Sequence, residues 1–259
     1  MNRFRLKIEY DGTAYGGWQR QKNAMTVQEK IEKALFELTG EKIGITGASR
    51  TDSGVYALGQ VAHFDSETKI PPEKLFLALN THLPPDIRIA ASEIAQDDFH
   101  ARFMARGKHY TYRIYNDNHN SAIMRNYSMY VPHKLDLNAM QEGANVFVGT
   151  HDFKSVMAAG SSAKTTVRTI YSFDVSKEGN LIALDVKGNG FLYNMVRIMA
   201  GTLINVGQGK MSPNDIKKAL ETGERTLMGF TAEPQGLTLN EVYYNCPCFG
   251  KNLDMNGQM

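Results

Sequence analysis

One stretch decides how the whole chain is interpreted: GASRTDSGVYALGQV, residues Gly47–Val61. Its single acidic residue, Asp52, stands between small residues that favour turns, and Arg50 precedes it by two positions. The three glycines of the stretch permit tight turns and the close approach of another molecule. An acid held on a rigid loop beside a guanidinium suits a nucleophile that must stay ionised near neutral pH. The same residues also fit an ordinary surface turn in which Asp52 caps a helix.

The stretch resembles the catalytic motif of the pseudouridine synthases, in particular of the tRNA pseudouridine synthase A family. That motif is approximately G-x-G-R-T-D-x-G-V-H-A-x-G-Q-V. Ser49 stands where the family has its second glycine, and Tyr56 stands where it has histidine. Four further segments resemble family motifs in the same order along the chain: Tyr10–Gln21, Phe99–Phe103 with His109–Tyr112, Gly190–Arg197, and Gly236–Leu239 with Val242–Tyr244. Five matches in order make the resemblance specific.

The hydrophobic pattern predicts strands and helices in both halves of the chain, which is an α+β pattern. Phe4 to Tyr10 alternates as a strand, Thr26 opens a helix that stops near Gly40, and Leu237 to Tyr244 is a final strand. The resemblance implies the pseudouridine synthase fold, in which two related halves share a mainly antiparallel sheet with helices packed on it and a central catalytic cleft. We expect the halves to be residues 1–104 and 105–245, followed by a loose tail, 246–259.

Site residues can be carried over from the matching motifs. The resemblance implies that Asp52 is the catalytic nucleophile, that Arg197 pairs with it, that Tyr110 stacks on the uracil, and that Arg50 takes the place of the extruded base. Without the resemblance, Tyr110 would be a core residue of a strand and Arg197 an arginine that reaches the surface from an apolar helix. Arg50 would contact a phosphate or nothing.

A run of basic and aromatic residues extends from Phe99 to Arg113, and such interleaving suits phosphate contacts beside stacking. A run of charge can equally be a solvated face. The first part of the run resembles an RNA-contacting segment of the family, which implies that RNA is bound by Phe99, His100, Ala101, Arg102 and Phe103.

Composition limits the possible partners and cofactors. The net charge of the 259 residues is only +2, so an anionic partner must meet a local basic surface. Cys246 and Cys248 are the only cysteines, too few for a disulfide framework or a four-ligand zinc site, and we expect free thiols. We find no signal peptide and no run of about 20 apolar residues, so we expect a cytoplasmic protein without a membrane partner.

The resemblance implies an isomerase that converts uridine to pseudouridine at positions 38 to 40 of the tRNA anticodon arm. It also implies a homodimer, and the reaction requires no metal and no small-molecule cofactor. Two alternatives stay open on the sequence. One is a catalytically silent RNA-binding protein, against which the intact Arg50-Thr51-Asp52 argues. The other is a nucleoside or glycoside hydrolase using Asp52, although most such enzymes need a second acid and the matched motifs contain none.

Overall fold

The computed structural model describes residues 1–161, 163–246 and 248–249. Its strands are β1 (Asn2–Tyr10), β2 (Thr46–Gly47), β3 (Tyr56–Ser66), β4 (Ile87–Ile94), β5 (Ala105–Asn116), β6 (Met129–Val131), β7 (Gly149–Asp152), β8 (Val167–Glu178), β9 (Leu181–Gly188) and β10 (Leu237–Tyr244). Its α-helices are α1 (Val27–Thr39), α2 (Pro72–Asn80), α3 (Leu137–Phe147), α4 (Met195–Gly207) and α5 (Pro213–Thr222). Short 3-10 helices are Met124–Asn126, Lys154–Val156, Arg225–Leu227 and Pro234–Gly236.

The chain divides into two compact units. The first contains Met1–Gly107 and the chain from Leu239 onward, and the second contains Lys108–Thr238. The last strand, β10, therefore returns the chain to the first unit after the second is complete. Of the predicted loose tail, 246–259, only Cys246, Cys248 and Phe249 are among the described residues, and the rest of that prediction lies outside them.

In the first unit the strands lie in the order β4-β1-β3-β10, and β2 pairs with β3. The pairs β1–β3, β1–β4 and β2–β3 are antiparallel. The predicted strand β1 is confirmed, with Phe4, Leu6, Ile8 and Tyr10 each at most 3% exposed, but Arg5 between them is also buried, at 7%. Because β3 follows the Asp52 stretch directly, no helix begins there, and the helix-capping alternative is excluded.

Helix α1 begins where the sequence predicts. The Thr26 side chain caps it by accepting a hydrogen bond from the Glu29 backbone N–H, and Gly40 ends it with left-handed backbone. The Glu29 carboxylate lies 3.8 Å from the Arg20 guanidinium. Apolar residues of α1 are buried, among them Ile31 and Leu35, which joins this amphipathic helix to the core of the first unit.

In the second unit the strands lie in the order β5-β9-β8-β7, all antiparallel, and β6 pairs in parallel with the end of β5. Strands β8 and β9 form a hairpin, with Gly179 in its turn at φ +57°. Helices α3 and α5 pack together, and α3 also packs on β8 and α4. Helix α4 is buried on nearly all sides, as its apolar sequence predicts.

Both units thus combine helices with mainly antiparallel strands, and the predicted α+β class is confirmed. Within the described residues no helix is both long and apolar enough to cross a membrane.

Candidate functional site

The Asp52 segment is a loop that leads from β2 into β3. The Val55 N–H donates to the Asp52 carbonyl at 3.2 Å, and Gly54 has φ +76°, so residues 52–55 form a tight turn. Ser49 and Thr51 are buried, Asp52 is half-buried, and Arg50 is exposed. The loop therefore buries the side chains of Ser49 and Thr51 and leaves the carboxylate partly accessible.

The side chain of Gln60 holds the start of this loop. It is fully buried on β3, where its Oε1 accepts from the Ser49 N–H at 3.1 Å and its Nε2 donates to the Ser49 carbonyl at 2.7 Å. The Ala48 N–H is bound by the Val61 carbonyl at 2.8 Å. Because buried peptide groups need partners, this primary amide replaces a strand partner at the point where the chain leaves the ladder.

The segment that follows β1 holds the other side of the loop. The Trp18 N–H donates to the Thr51 carbonyl at 3.1 Å, and the Tyr10 hydroxyl lies 2.7 Å from Thr51 Oγ1. A Cβ on Gly17, which has φ +93°, would come within 2.5 Å of the Thr51 carbonyl oxygen. A Cβ on Gly12 would overlap the Val55 carbonyl. The two backbones are therefore in direct contact, and the Asp52 loop has little room to move.

We predict that Gln60→Leu destabilises the protein by about 2–4 kcal/mol, because leucine fills the space but leaves the N–H and C=O of Ser49 buried without partners. The measurement is the free energy of unfolding in urea. Gln19→Leu is the matched control, since Gln19 is exposed and its replacement should change stability by less than about 0.5 kcal/mol. Equal losses in the free energy of unfolding for the two variants would contradict the proposed role of Gln60 in holding the loop.

The predicted RNA-contacting segment, residues 99–103, consists of a buried and an exposed part. Phe99 and Ala101 are 1% and 0% exposed, whereas Phe103 is 77% exposed and Arg102 is also exposed. The Phe103 ring lies 4.2 Å from the His100 ring, and the Arg102 guanidinium lies 5.9 Å from the Phe103 centroid. Only His100, Arg102 and Phe103 offer side chains to a partner at the surface.

Buried contacts fix the position of this segment. Phe99 packs between Tyr244 at 5.2 Å and His63 at 6.0 Å. The Ala101 N–H donates to His63 Nδ1 at 3.2 Å, and the Tyr244 hydroxyl donates to the Ala101 carbonyl at 2.6 Å. Burial, with the neighbouring His100 and Arg3 adding to it, lowers the pKa of His63 to about 4. The ring is neutral at pH 7 and can accept this bond.

Arg50 and Arg102 lie near each other in the first unit. Burial lowers the pKa of Arg102, and the positive charge of Arg50 lowers it further. Two guanidiniums in proximity repel each other, and a phosphate between or beside them would relieve that repulsion. The structure thus brings together Arg50, predicted to take the place of the extruded base, and Arg102, predicted to bind RNA.

Tyr110 lies in the second unit, on β5 opposite Val186 of β9. It is 6% exposed, and its ring meets the ring of Phe191 edge to face at 5.1 Å. Phe191 itself is half-buried and belongs to the Gly190–Arg197 motif. Phe191 was not among the site residues predicted from the sequence, although an aromatic residue just before an apolar helix could have indicated it.

Arg197 lies in the first turn of α4. Its Nε donates to the Ala232 carbonyl at 2.7 Å, and its Nη1 donates to Asn194 Oδ1 at 2.8 Å. Asn194 precedes the helix with a left-handed backbone at φ 58°, and its side chain does not cap the helix. These bonds orient the guanidinium, so Arg197 is not simply an arginine that reaches solvent from an apolar helix. Sequence reasoning missed Asn194 and Ala232.

The remaining candidate groups give no further site. Among the residues that the structure describes, no three His, Cys, Asp or Glu side chains cluster so as to hold a metal ion. Cys246 and Cys248 are free, and their sulfurs lie 3.6 Å apart. Burial raises the pKa of the Cys248 thiol to about 12. Trp18 is buried and packs 6.0 Å from Tyr10, as expected of a core residue.

Comparison with known proteins gives matches over most of the chain. A family model for tRNA pseudouridine synthase matches residues 7–104 and 144–245. A tRNA pseudouridine synthase A of Ruminiclostridium cellulolyticum is 54% identical over 245 residues, which are 94% of this chain and 100% of that protein. A protein of the same name from Acetivibrio thermocellus is 51% identical over 244 residues, again 94% of this chain and 100% of its own length.

Among solved structures, a Cbf5-Nop10-Gar1 complex is similar with a TM-score of 0.35 and 16% identity, covering 78% of this chain and 45% of that chain. The similarity to the two tRNA pseudouridine synthases A in sequence is thus much stronger than the similarity to this solved structure. It extends over 94% of this chain.

Proposed function

The chain belongs to the tRNA pseudouridine synthase family, and from this premise we propose that it modifies uridines 38 to 40 of the tRNA anticodon arm with Asp52 as nucleophile. As a member of this family it is an isomerase that converts uridine in tRNA to pseudouridine. The single observation that carries the assignment to Asp52 is the construction of its loop, whose backbone is held just before Asp52 by Gln60 and Trp18.

The reaction exchanges one bond of the nucleotide for another. The bond between N1 and C1′ breaks, the freed uracil turns, and C5 bonds to C1′ while a proton leaves C5 and N1 regains one. Asp52 would attack C1′ of the ribose, where positive charge develops as the uracil leaves. Removal of the C2′ proton by the same carboxylate is the rival route. An isotope effect on turnover with uridine deuterated at C2′ would favour that route.

The rigidity of the Asp52 loop supports the proposed attack. A carboxylate has to lie within about 3–3.5 Å of the carbon it attacks, and small displacements reduce the rate strongly. Gln60 and Trp18 bind the loop backbone at Ser49 and at Thr51, just before Asp52, and this holds the backbone from which the carboxylate projects. In the proposal Arg197 pairs with Asp52 and keeps it ionised.

The target uridine must leave the base stack to reach any such pocket. We assign the face of Tyr110 to the flipped uracil, because stacking on an aromatic ring is typically worth about 1–3 kcal/mol per base. The edge-to-face contact with Phe191 supports this role, since it fixes the plane of the Tyr110 ring. Arg50, exposed on the same loop as Asp52, takes the place vacated by the base.

The RNA backbone would follow the exposed part of the 99–103 segment. His100, Arg102 and Phe103 provide two polar groups and one exposed ring, which suits contacts to phosphates and to an unstacked base. Phe99 and Ala101 contribute by fixing the backbone of the segment through His63 and Tyr244.

Mapping of pseudouridine in treated tRNA tests the proposed site. Transcripts of one tRNA with uridine at 38, 39 or 40 are incubated with the protein, modified with carbodiimide and read by primer extension. We expect stops at these positions and none in the T arm. A product found only elsewhere in the tRNA would overturn the assignment to the anticodon arm. Release of free uracil would instead support the hydrolase alternative.

A homodimer is part of the proposal, because a chain of net charge +2 collects few phosphate contacts alone. We expect two chains to share one tRNA, which light scattering of the free protein and of the complex measures directly. A monomer in both states would contradict it. We also keep the cytoplasm as the expected compartment, in agreement with the two free thiols.

We predict that Arg102→Ala weakens tRNA binding about three- to tenfold at moderate salt and reduces the slope of log K against log salt by about 0.7–1, which is the loss of one phosphate contact. Binding is measured by filter retention between 50 and 200 mM salt. Arg88→Ala is the matched control, because Arg88 is exposed in the same unit and binds the backbone carbonyls of Pro84 and Ile87. An unchanged slope for Arg102→Ala would count against the proposed RNA path.

A further inference from the structure

Arg197 is held by a segment that is remote in sequence, residues Gly229–Ala232. The Arg197 Nε donates to the Ala232 carbonyl at 2.7 Å, and the Ala232 N–H donates back to the Arg197 carbonyl at 3.1 Å. This reciprocal pair ties both the guanidinium and the backbone of Arg197 to one residue, Ala232. The direction of the guanidinium therefore depends on where Ala232 lies.

Thr202 fixes the beginning of the same segment. It lies on α4 five residues after Arg197 and is fully buried. Its Oγ1 donates to the Ile198 carbonyl at 2.7 Å and accepts from the Gly229 N–H at 3.0 Å. One hydroxyl thus connects the segment to the turn of α4 that follows Arg197, and a buried peptide N–H gains its partner.

Arg225 holds Gly229 from its other side. Its Nη1 donates to the Gly229 carbonyl at 2.8 Å, and its Nη2 lies 3.3 Å from Thr231 Oγ1. The N–H and the carbonyl of Gly229 are therefore both bound by side chains. The N–H binds Thr202 of α4, and the carbonyl binds Arg225 of the short helix Arg225–Leu227. A fork of two parallel donors also fixes the direction of the chain between Gly229 and Thr231.

Close packing against α4 fixes the position of the segment Gly229–Ala232. A Cβ on Gly229 would lie 2.6 Å from the backbone of Thr202, and a Cβ on Gly201 would collide with the Phe230 carbonyl. One glycine of the segment faces the helix backbone and one glycine of the helix faces the segment backbone, so the two touch there without intervening side chains. Packing and hydrogen bonds thus act on the same four residues.

We propose that Thr202, together with Arg225, is a positioning residue for catalysis, because it fixes the segment Gly229–Ala232 whose last carbonyl orients Arg197. The inference rests on the proposed pairing of Arg197 with Asp52. Thr202 touches neither substrate nor reacting atoms and acts only through Arg197. Its loss should lower turnover and leave tRNA affinity unchanged, since the arginine would remain present but misdirected.

The test compares Thr202→Val with Thr202→Ser. Valine keeps the shape and removes the hydroxyl, whereas serine keeps the hydroxyl. We expect Thr202→Val to lower kcat about 10- to 100-fold with KM for tRNA within twofold, and Thr202→Ser to stay within about threefold of the unaltered protein. Ile204→Val is the matched control, because Ile204 is buried on α4 and its side chain makes no hydrogen bond. A loss of kcat in Ile204→Val as large as that in Thr202→Val would overturn the inference.

A double-variant cycle separates this inference from the proposed function. If Thr202 acts through Arg197, Thr202→Val should cause no further loss of kcat in a protein that already carries Arg197→Ala. An undiminished further loss would overturn the positioning role of Thr202. Full activity of Arg197→Ala alone would instead reject the catalytic role of Arg197, and with it the premise.

A spectroscopic measurement keeps the inference testable if Thr202→Val folds poorly. The Nε–H proton of Arg197, bound by the Ala232 carbonyl, should exchange slowly with solvent in nitrogen-15 spectra. Arg225→Gln, which alters the segment from its other side, should speed this exchange at least tenfold and lower kcat without unfolding the protein. Unchanged exchange together with unchanged kcat in Arg225→Gln would refute the proposal.

Discussion

Asp52→Asn should reduce pseudouridine formation by roughly 10⁴-fold or more, because loss of a residue that forms the reacting bond removes most of the catalysis. The amide has the size of the carboxylate but does not attack C1′. Since the loop is held through the backbone of Ser49 and Thr51, its conformation should survive the change. The measurement is single-turnover release of tritium from C5 of labelled uridine in tRNA, with enzyme in excess.

Binding of tRNA by Asp52→Asn should stay within a few-fold, which distinguishes lost chemistry from lost recognition. Asp174→Asn is the matched control, because Asp174 is an exposed acid on β8 and its replacement changes the net charge equally. We expect full activity in that variant. Substantial activity of Asp52→Asn would remove Asp52 from its proposed role, whereas joint loss of binding and activity would point to a damaged fold.

Tyr110→Ala is the second change with a large expected effect. We expect turnover to fall about 10- to 200-fold, which corresponds to about 1–3 kcal/mol of stacking on the flipped base, while affinity for tRNA changes little. In the proposed complex most of the RNA contacts lie outside the uracil pocket, so the affinity for tRNA would not report the loss. The measurement is kcat and KM on one tRNA transcript, with circular dichroism to verify that the variant is folded.

Tyr110→Phe separates the ring from its hydroxyl. Phenylalanine retains the stacking face and the edge-to-face contact with Phe191, so most activity should remain. A loss in Tyr110→Phe equal to that in Tyr110→Ala would show that the hydroxyl, and not the face of the ring, is what the reaction needs.

Sequence reasoning succeeds where local chemistry determines the backbone. The limits of β10 and the caps of α1 agree with expectation, because alternation, a capping threonine and a terminal glycine act within a few neighbouring residues. The family could also be identified from the sequence, because each of the five motifs consists of residues that are close together in the chain.

The glycines of the Asp52 stretch show where local reasoning stops. Gly54 does form the turn, with φ +76°. Gly59, however, lies within β3, where a Cβ would overlap the carbonyl of Asn240 on β10. Gly47 faces the Trp18 ring in the same way. A glycine needed for contact with a distant part of the same chain looks identical, in sequence, to one needed for a turn.

Aromatic and basic side chains raise the same difficulty. Phe99 and Phe103 stand four positions apart in one run, yet one is in the core beside Tyr244 and the other is 77% exposed. Arg197 binds the Ala232 carbonyl, 35 positions later in the chain. Such pairings depend on tertiary contacts, which periodicity does not encode.

The return of β10 has a consequence for biosynthesis. The strand that lies next to β3 in the first unit is translated only after the whole second unit, more than 130 residues beyond Gly107. At 5–20 residues per second, a ribosome needs roughly 7–26 s to cover that distance. During this interval β3 presents an unpaired edge that a chaperone would have to shield. A nascent or prematurely terminated polypeptide would therefore lack Tyr244, whose ring packs on Phe99 and whose hydroxyl binds the Ala101 carbonyl, and the segment 99–103 would lose this support.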